Sequence, residues 1–170
     1  AGTGKTKALL AAILQILSQR RRRQQPKSRQ LEEEEDQIEC AQFTHRILIC
    51  TPSHTACDVI TQRLVKLLAK QEEEIDRDKS EERQQKIRKM VFRLYDATRA
   101  VETVPVQVLP YTRMGGGDGG KFVLPSTVEL LQFSVIICTC QDAHLLFLAG
   151  LTNSSLRRRR KCLQLDMEER

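Results

Sequence analysis

The first six residues, Ala1-Gly2-Thr3-Gly4-Lys5-Thr6, constrain the fold more than any other part of the chain. They match the end of a glycine-rich loop of the form G-x-x-x-x-G-K-S/T, whose opening glycine is expected before residue 1, so that the chain is expected to be a piece of a longer protein. Glycines at positions 2 and 4 let successive backbone N–H groups turn inward around phosphate oxygens, where a Cβ would obstruct them. In such a loop the lysine brings a point charge to the β- and γ-phosphates, and the hydroxyl after it ligates Mg²⁺. Lys5 and Thr6 hold those positions, as the candidate catalytic pair, with Thr6 the candidate Mg²⁺ ligand. Gly2, Thr3, Gly4, Lys5, Thr6 and Lys7 together form the candidate nucleotide cradle. From Lys7 to Gln19 the chain is rich in Ala, Leu and Ile with no Gly or Pro, which predicts a helix whose positive end faces the phosphates. The alternative is an ordinary glycine-rich turn.

Further along, Arg46 to Thr51 (RILICT) is a nearly continuous apolar run, the pattern of a strand buried on both faces of a parallel sheet. Pro52-Ser53-His54-Thr55 ends it, and helical spacing of Val59, Ile60, Leu64, Leu67 and Leu68 follows, with Thr55 and Asp58 spaced as a capping box. The segment from Glu72 to Lys89 is polar, with Glu82 and Lys86 at i,i+4, and predicts a solvated helical extension or an insertion. Val91 to Tyr95 and Val106 to Leu109 predict short strands, the second bracketed by Pro105 and Pro110. Glycines from Gly115 to Gly120 predict a linker, since no Lys-Ser/Thr follows to give them phosphate chemistry. Ser126 and Glu129 form a second capping box ahead of Ser134 to Thr139, another doubly buried strand. Strands alternating with helices make the fold class α/β.

Length and composition set bounds. At 170 residues and 40% hydrophobic content the chain can bury one domain core, with polar insertions near 20–39, 71–89 and 114–120 outside it. A net charge of +6 favours an acidic partner such as nucleic acid, and much of it lies in Arg20 to Arg23 and Arg157 to Arg160. Arg157 to Lys161 reads as a solvated basic tail, with a nuclear-localisation patch the alternative. The six cysteines show neither C-x-x-C pairs nor zinc-site spacing with histidine; Cys50 and Cys138 lie in strand-like apolar runs, where a reduced thiol acts as a small hydrophobe, and that suits an intracellular protein. No apolar run approaches the ~18 residues of a membrane span, so no membrane partner is expected.

Two segments repeat one arrangement, a buried strand ending in threonine and then a polar turn at the expected carboxyl edge of the sheet, where open α/β sheets bind ligands. They are Cys50-Thr-Pro-Ser-His-Thr-Ala-Cys-Asp58 and Cys138-Thr-Cys-Gln-Asp-Ala143. With Gly2 to Thr6, their order and separation resemble motifs I, Ia and Ib or Ic of superfamily 1 helicases of the up-frameshift-like group. Within that group the chain is most similar to the Moloney leukaemia virus ten and Armitage type of RNA helicase. That narrower likeness rests on Thr51-Pro-Ser-His-Thr-Ala-Cys-Asp58, on Arg93-Leu-Tyr-Asp-Ala-Thr-Arg99 followed by Leu109-Pro110-Tyr111, and on Pro125 to Leu131 leading into Val135 to Thr139. His54 stands where the branch has asparagine, Cys57 where it has alanine, and Cys138-Thr139-Cys140 where it has a threonine pair. The Walker B Asp-Glu is absent where expected; Asp166 and Glu168, separated by one residue, are its one candidate.

The resemblance implies a P-loop NTPase: part of a first RecA-like domain over residues 1–170, an incomplete parallel sheet with flanking helices. It implies ATP and Mg²⁺ as cofactors, with single-stranded RNA crossing the sheet's edge. Pro52, Ser53, His54, Thr55 and Thr139 are then the RNA-binding candidates, touching the backbone without reading sequence. For Thr51, Ser53 and Thr139 the competing role is a cap or turn hydroxyl, and for Arg93 and Arg99 a solvated surface position stands beside a contact to nucleotide or RNA. Movement 5′ to 3′ on RNA, RNA-mediated silencing, silencing or RNA-granule partners and a cytoplasmic location follow from the resemblance, with a nuclear location the alternative. Two other function classes stay open: a P-loop ATPase or nucleotide kinase that needs no polynucleotide, and a non-catalytic basic RNA-binding remnant. Phosphoryl transfer needs a P-loop strand, an acidic Walker B pair and a second domain closing over the nucleotide. The 170 residues alone are therefore expected to fold poorly and to turn over no ATP; substantial ATPase activity of the purified chain would overturn that expectation.

Overall fold

The computed structural model describes residues 4–24, 46–73, 80–116 and 120–151. Its elements are α1 (Lys5–Gln24), β1 (Ile47–Thr51), α2 (His54–Glu73), α3 (Ser80–Met90), β2 (Val91–Arg93), α4 (Thr127–Leu130), β3 (Val135–Thr139) and α5 (Ala143–Leu148). Three strands form one all-parallel sheet in the order β1-β3-β2, the α/β architecture of a P-loop, RecA-like sheet with flanking helices. Register is set by Ile47 opposite Val135 through Thr51 opposite Thr139 on one side of β3, and by Val91 opposite Val135 on the other. Because all strands run one way, Thr51, Thr139 and Arg93 end on the same edge.

β3 is central and buried along its whole length, which is why Val135, Ile136, Ile137 and Cys138 are apolar without alternation. β1 is not buried on both faces as its apolar run predicts: it lies at one end of the strand order, and Leu48 and Cys50 are exposed while Ile49 and Thr51 are buried. One face of the sheet carries Ile49, Val135 and Ile137 against Leu10, Ile13 and Leu17 of α1 and Cys57, Ile60, Leu64 and Leu68 of α2. Those helical positions recur at steps of three and four residues, the stripe a core-facing helix needs. The other face packs Ile136, Cys138 and Phe92 against Leu130 and Leu146 from α4 and α5. Beyond β2, Tyr95, Val104, Val108 and Phe122 close a third cluster.

Several local expectations change. Val106 to Leu109 is not a strand: Val108 N–H donates to the Pro105 carbonyl at 2.8 Å in a turn that runs into a 3₁₀ turn at Leu109–Tyr111. The two prolines remove the donors a ladder needs, and Val108 buries while Val106 points to solvent. Helix α2 starts before Thr55, so the cap is Ser53, whose hydroxyl accepts from Ala56 N–H at 3.2 Å, and Asp58 turns inward instead. The polar stretch before β2 is partly core, because α3 buries Ile87 and Lys86 reaches Glu72 at 3.0 Å. The glycine cluster joins two hydrogen-bonded arms rather than two separate segments: Gly115 N–H donates to Lys121 C=O at 2.9 Å and Val123 N–H to Arg113 C=O at 3.0 Å. A Cβ on Gly115 would lie 2.9 Å from Val123 Cγ2, so any other residue there must displace that side chain. The box at Ser126 and Glu129 forms as expected, with both reciprocal bonds present. Arg20 to Arg23 continue α1, whereas Asp166, Glu168 and Arg157 to Arg160 lie outside the described residues.

Ile137→Ala, which opens a cavity in the central strand, is expected to cost about 2–5 kcal/mol. Leu48→Ala, at the half-exposed position next to Ile49, should stay within about 0.5 kcal/mol. Urea midpoints of the two variants check the difference.

Candidate functional site

The candidate nucleotide end is the start of α1. Gly4 has φ +73°, a left-handed conformation that glycine adopts without strain, and its carbonyl accepts the helix's first bond, from Ala8 N–H at 2.9 Å. Lys5 and Lys7 are exposed on the first turn and Thr6 is half-buried. The first-turn N–H groups of a helix have no partners within it, so this end offers inward donors, a lysine and a hydroxyl as one set. These residues fit a nucleoside triphosphate with Mg²⁺: Lys5 would meet the outer phosphates, Thr6 the metal, and Gly4 the close approach of backbone to phosphate. When bound, the nucleotide supplies the phosphoryl group and the metal the charge that neutralises it. Gly2 and Thr3, the other two cradle candidates, lie outside the described residues.

The second end is the carboxyl edge of the sheet. After β1, Pro52, Ser53 and Thr55 are exposed and His54 is half-buried, at the N-terminus of a helix of 20 residues. Ser53 caps that helix, and Thr51 Oγ1 donates to the Ser53 carbonyl at 2.8 Å, so Thr51 shapes the turn from below. After β3, Thr139 is buried, and its Oγ1 accepts from Asp142 N–H at 2.9 Å. Its cap role is therefore the one the geometry supports, while Ser53 and Thr55 keep accessible hydroxyls. The two turns are stitched by Cys140 N–H donating to the Thr51 carbonyl at 2.8 Å.

Beneath this edge lies a buried polar cluster that sequence reasoning missed. Arg93, last residue of β2, is fully buried rather than solvated. Its Nε donates to Asp58 Oδ1 at 2.9 Å, its Nη1 to the Leu94 carbonyl at 2.5 Å, and its Nη2 to His54 Nδ1 at 3.2 Å. The guanidinium also lies over the Tyr95 ring, 3.9 Å from its centroid. Tyr95 donates its hydroxyl to the same Asp58 oxygen at 2.5 Å. Burial, then donation to Asp58, pushes the phenol well above its ordinary range, so it stays a donor at any working pH. His54 stacks on Tyr95 with centroids 5.7 Å apart. Burial and the Arg99 charge hold its imidazole below the usual 6.5, against the opposing pull of Asp142. Arginine inside an apolar strand (VFRLY) with an aspartate on the preceding helix was the available signal.

Among the described cysteines, Cys57 and Cys138 are buried and serve packing, while Cys50 and Cys140 are exposed. Cys57 Sγ sits 2.8 Å from Thr51 Oγ1, and Cys50 and Cys138, register partners on neighbouring strands, are 3.7 Å apart as free thiols. Burial pushes the Cys57 and Cys138 thiols up, which keeps them protonated. Among the described residues no group of three or more His, Cys, Asp or Glu could hold a metal ion, and no helix is long and apolar enough to cross a membrane.

A parallel α/β sheet, a lysine–threonine pair opening a helix behind a left-handed glycine, and polar turns gathered on one carboxyl edge define a helicase-like P-loop ATPase domain. The sequence profile described as AAA domain matches residues 1–112, and the chain belongs to that family, the one found in up-frameshift-like superfamily 1 helicases. Members are ATPase-type hydrolases that generally use ATP and Mg²⁺ and engage nucleic acid. Neither a curated protein nor a solved structure shows a significant match to the chain.

Arg93→Ala would leave the Asp58 carboxylate buried without its cation and should cost about 3–5 kcal/mol, whereas Arg93→Met with Asp58→Leu removes both charges and should cost less than the sum of the single changes. Denaturant unfolding of the two singles and the double closes that cycle.

Proposed function

We propose that this chain is the ATP-binding part of an ATP-dependent RNA helicase of the Moloney leukaemia virus ten and Armitage type, moving 5′ to 3′ on single-stranded RNA in the cytoplasm, in RNA-mediated silencing with partner proteins of RNA granules. The observation that carries the reading is the common carboxyl edge. There the exposed Pro52-Ser53-His54-Thr55 turn opens a helix of 20 residues beside the Thr139 turn, while the lysine–threonine pair opens α1. A helix N-terminus with exposed hydroxyls suits a phosphodiester backbone and reads no bases, as a translocating enzyme requires. Thr139 supports that edge from inside, through its bond to Asp142 N–H, and Ser53 and Thr55 are the hydroxyls in reach of a strand.

The chain should bind a labelled oligouridylate, with affinity falling as salt rises at a slope of roughly −0.7 per phosphate contact. Ser53→Ala with Thr55→Ala should weaken that binding without altering binding of a fluorescent ATP analogue, and Lys5→Ala the reverse. Nucleotide binding with no affinity for RNA would favour an ATPase or nucleotide kinase that acts without polynucleotide, and RNA binding indifferent to the Ser53 and Thr55 changes would favour a basic remnant.

A further inference from the structure

His54 Nδ1 lies between two groups that ask opposite things of it. Arg93 Nη2, 3.2 Å away, can only donate, and Asp142 Oδ2, 3.8 Å away, can only accept while ionised. Nδ1 has a single in-plane site, a lone pair or a proton, so it satisfies one neighbour at a time. At present it serves Arg93. Asp142 Oδ2 is left buried with no hydrogen bond, on a side chain 7% exposed, which is costly for a carboxylate oxygen and gives it a standing demand for a donor. The imidazole stacks on Tyr95 with the ring planes 26° apart, and both neighbours are within 4 Å of the same nitrogen.

We propose that His54 is a protonation-dependent toggle joining the two polar turns: neutral, it accepts from Arg93; with a proton taken from solvent at Nδ1, it donates to Asp142. The lone pair that held the Arg93 hydrogen becomes an N–H bond, the Arg93 contact breaks under like-charge repulsion, and the charged ring meets the carboxylate. The charged and titratable groups facing the ring are Asp58 from α2, Arg93 from β2, Tyr95 and Arg99 from the segment after it, and Asp142 from the turn after β3. The cations and burial favour the neutral state near pH 7, and Asp142 opposes them. The folded-state value thus lies below 6.5, so the stability His54 contributes is present above about pH 6.5 and lost as pH falls through the folded value. Since His54 sits in the turn assigned to RNA, the charged state adds one cation to that edge; this last step rests on the polynucleotide reading, the toggle itself does not.

The test follows the imidazole by nitrogen NMR in the whole chain, with His54→Asn to assign it. Nδ1 should carry no proton at pH 7.5, titrate below 6.5, and share its midpoint with the Asp142 carboxyl carbon in the unaltered protein. In Asp142→Asn that midpoint should fall further. A carboxyl signal indifferent to His54, or a midpoint unmoved in a folded Asp142→Asn variant, overturns the toggle; if that variant does not fold, the unaltered protein decides. Oligouridylate affinity should then rise about fivefold between pH 8 and 5.5 at ~0.1 M salt, the worth of one more neutralised phosphate on a single strand. His54→Asn should abolish the rise. An equal rise in His54→Asn overturns the regulatory role, and an intact NMR titration with no RNA affinity at any pH upholds the toggle and rejects the polynucleotide reading.

Discussion

The buried guanidinium of Arg93 holds the working edge of this domain together. A charge removed from water is tolerated only when its donors are met, and here all three of its nitrogens donate, to Asp58, Leu94 and His54. Two of the partners lie on α2: His54 opens the helix and Asp58 stands on its second turn, so both bonds tie β2 to the start of α2, and the Leu94 carbonyl fixes the exit of the strand. The cation over Tyr95 and the Tyr95 hydroxyl on Asp58 close the cluster, and Phe122, 4.7 Å from Tyr95, caps it with apolar surface. The position of the candidate RNA turn therefore depends on a charge that never reaches solvent.

Much of the fold was legible because the sequence repeats the pattern the physics demands. Val135–Thr139 is apolar without alternation, as a strand covered on both faces must be, and the Ser126 box satisfies the helix start it announces, whereas the equally apolar Ile47–Thr51 buries one face alone. Failures fell where a side chain had two local uses. Asp58 has capping spacing from Thr55, but the chain turns into its helix earlier, at Ser53, and that frees the carboxylate for Arg93. Val106 to Leu109 has strand composition, but the flanking prolines cannot donate to a ladder, so one valine buries and another is left in solvent. Arg93 itself was taken for a surface or ligand-contacting residue, because composition does not reveal a cation whose partner lies 35 residues away.

The departures from the helicase pattern make physical sense in place. A histidine at 54 offers a ring nitrogen acceptor where an asparagine offers a carbonyl oxygen, so the bond from Arg93 survives the exchange and a titratable group is gained. Cys57 adds a thiol to a buried helical position, and that thiol lies against the Thr51 hydroxyl, filling space beside a strand end whose hydroxyl is already committed to Ser53. Cys138 puts a small apolar side chain in the central strand, while Thr139 supplies the hydroxyl that accepts from Asp142 N–H. The substitutions thus preserve both turns.

Communication between the two ends has a material basis in the core. Leu10, Ile13 and Leu17 of the helix that begins with Lys5 share one packed cluster with Cys57, Ile60, Leu64 and Leu68 of the helix that begins with His54. Packed interiors behave as stiff solids, so a displacement of α1 by phosphates at its first turn is handed to α2 more readily than it is absorbed. Stiffness alone does not make a signal, because coupling needs an element with two discrete arrangements whose balance both ends can bias. At the start of α2, the ring between Arg93 and Asp142 has two such arrangements under the proposed toggle, differing by one proton and one hydrogen bond. The two distances from Nδ1, 3.2 Å to Arg93 and 3.8 Å to Asp142, differ by only a few tenths of an ångström, so the choice of partner is set by the proton rather than by a large displacement of the ring.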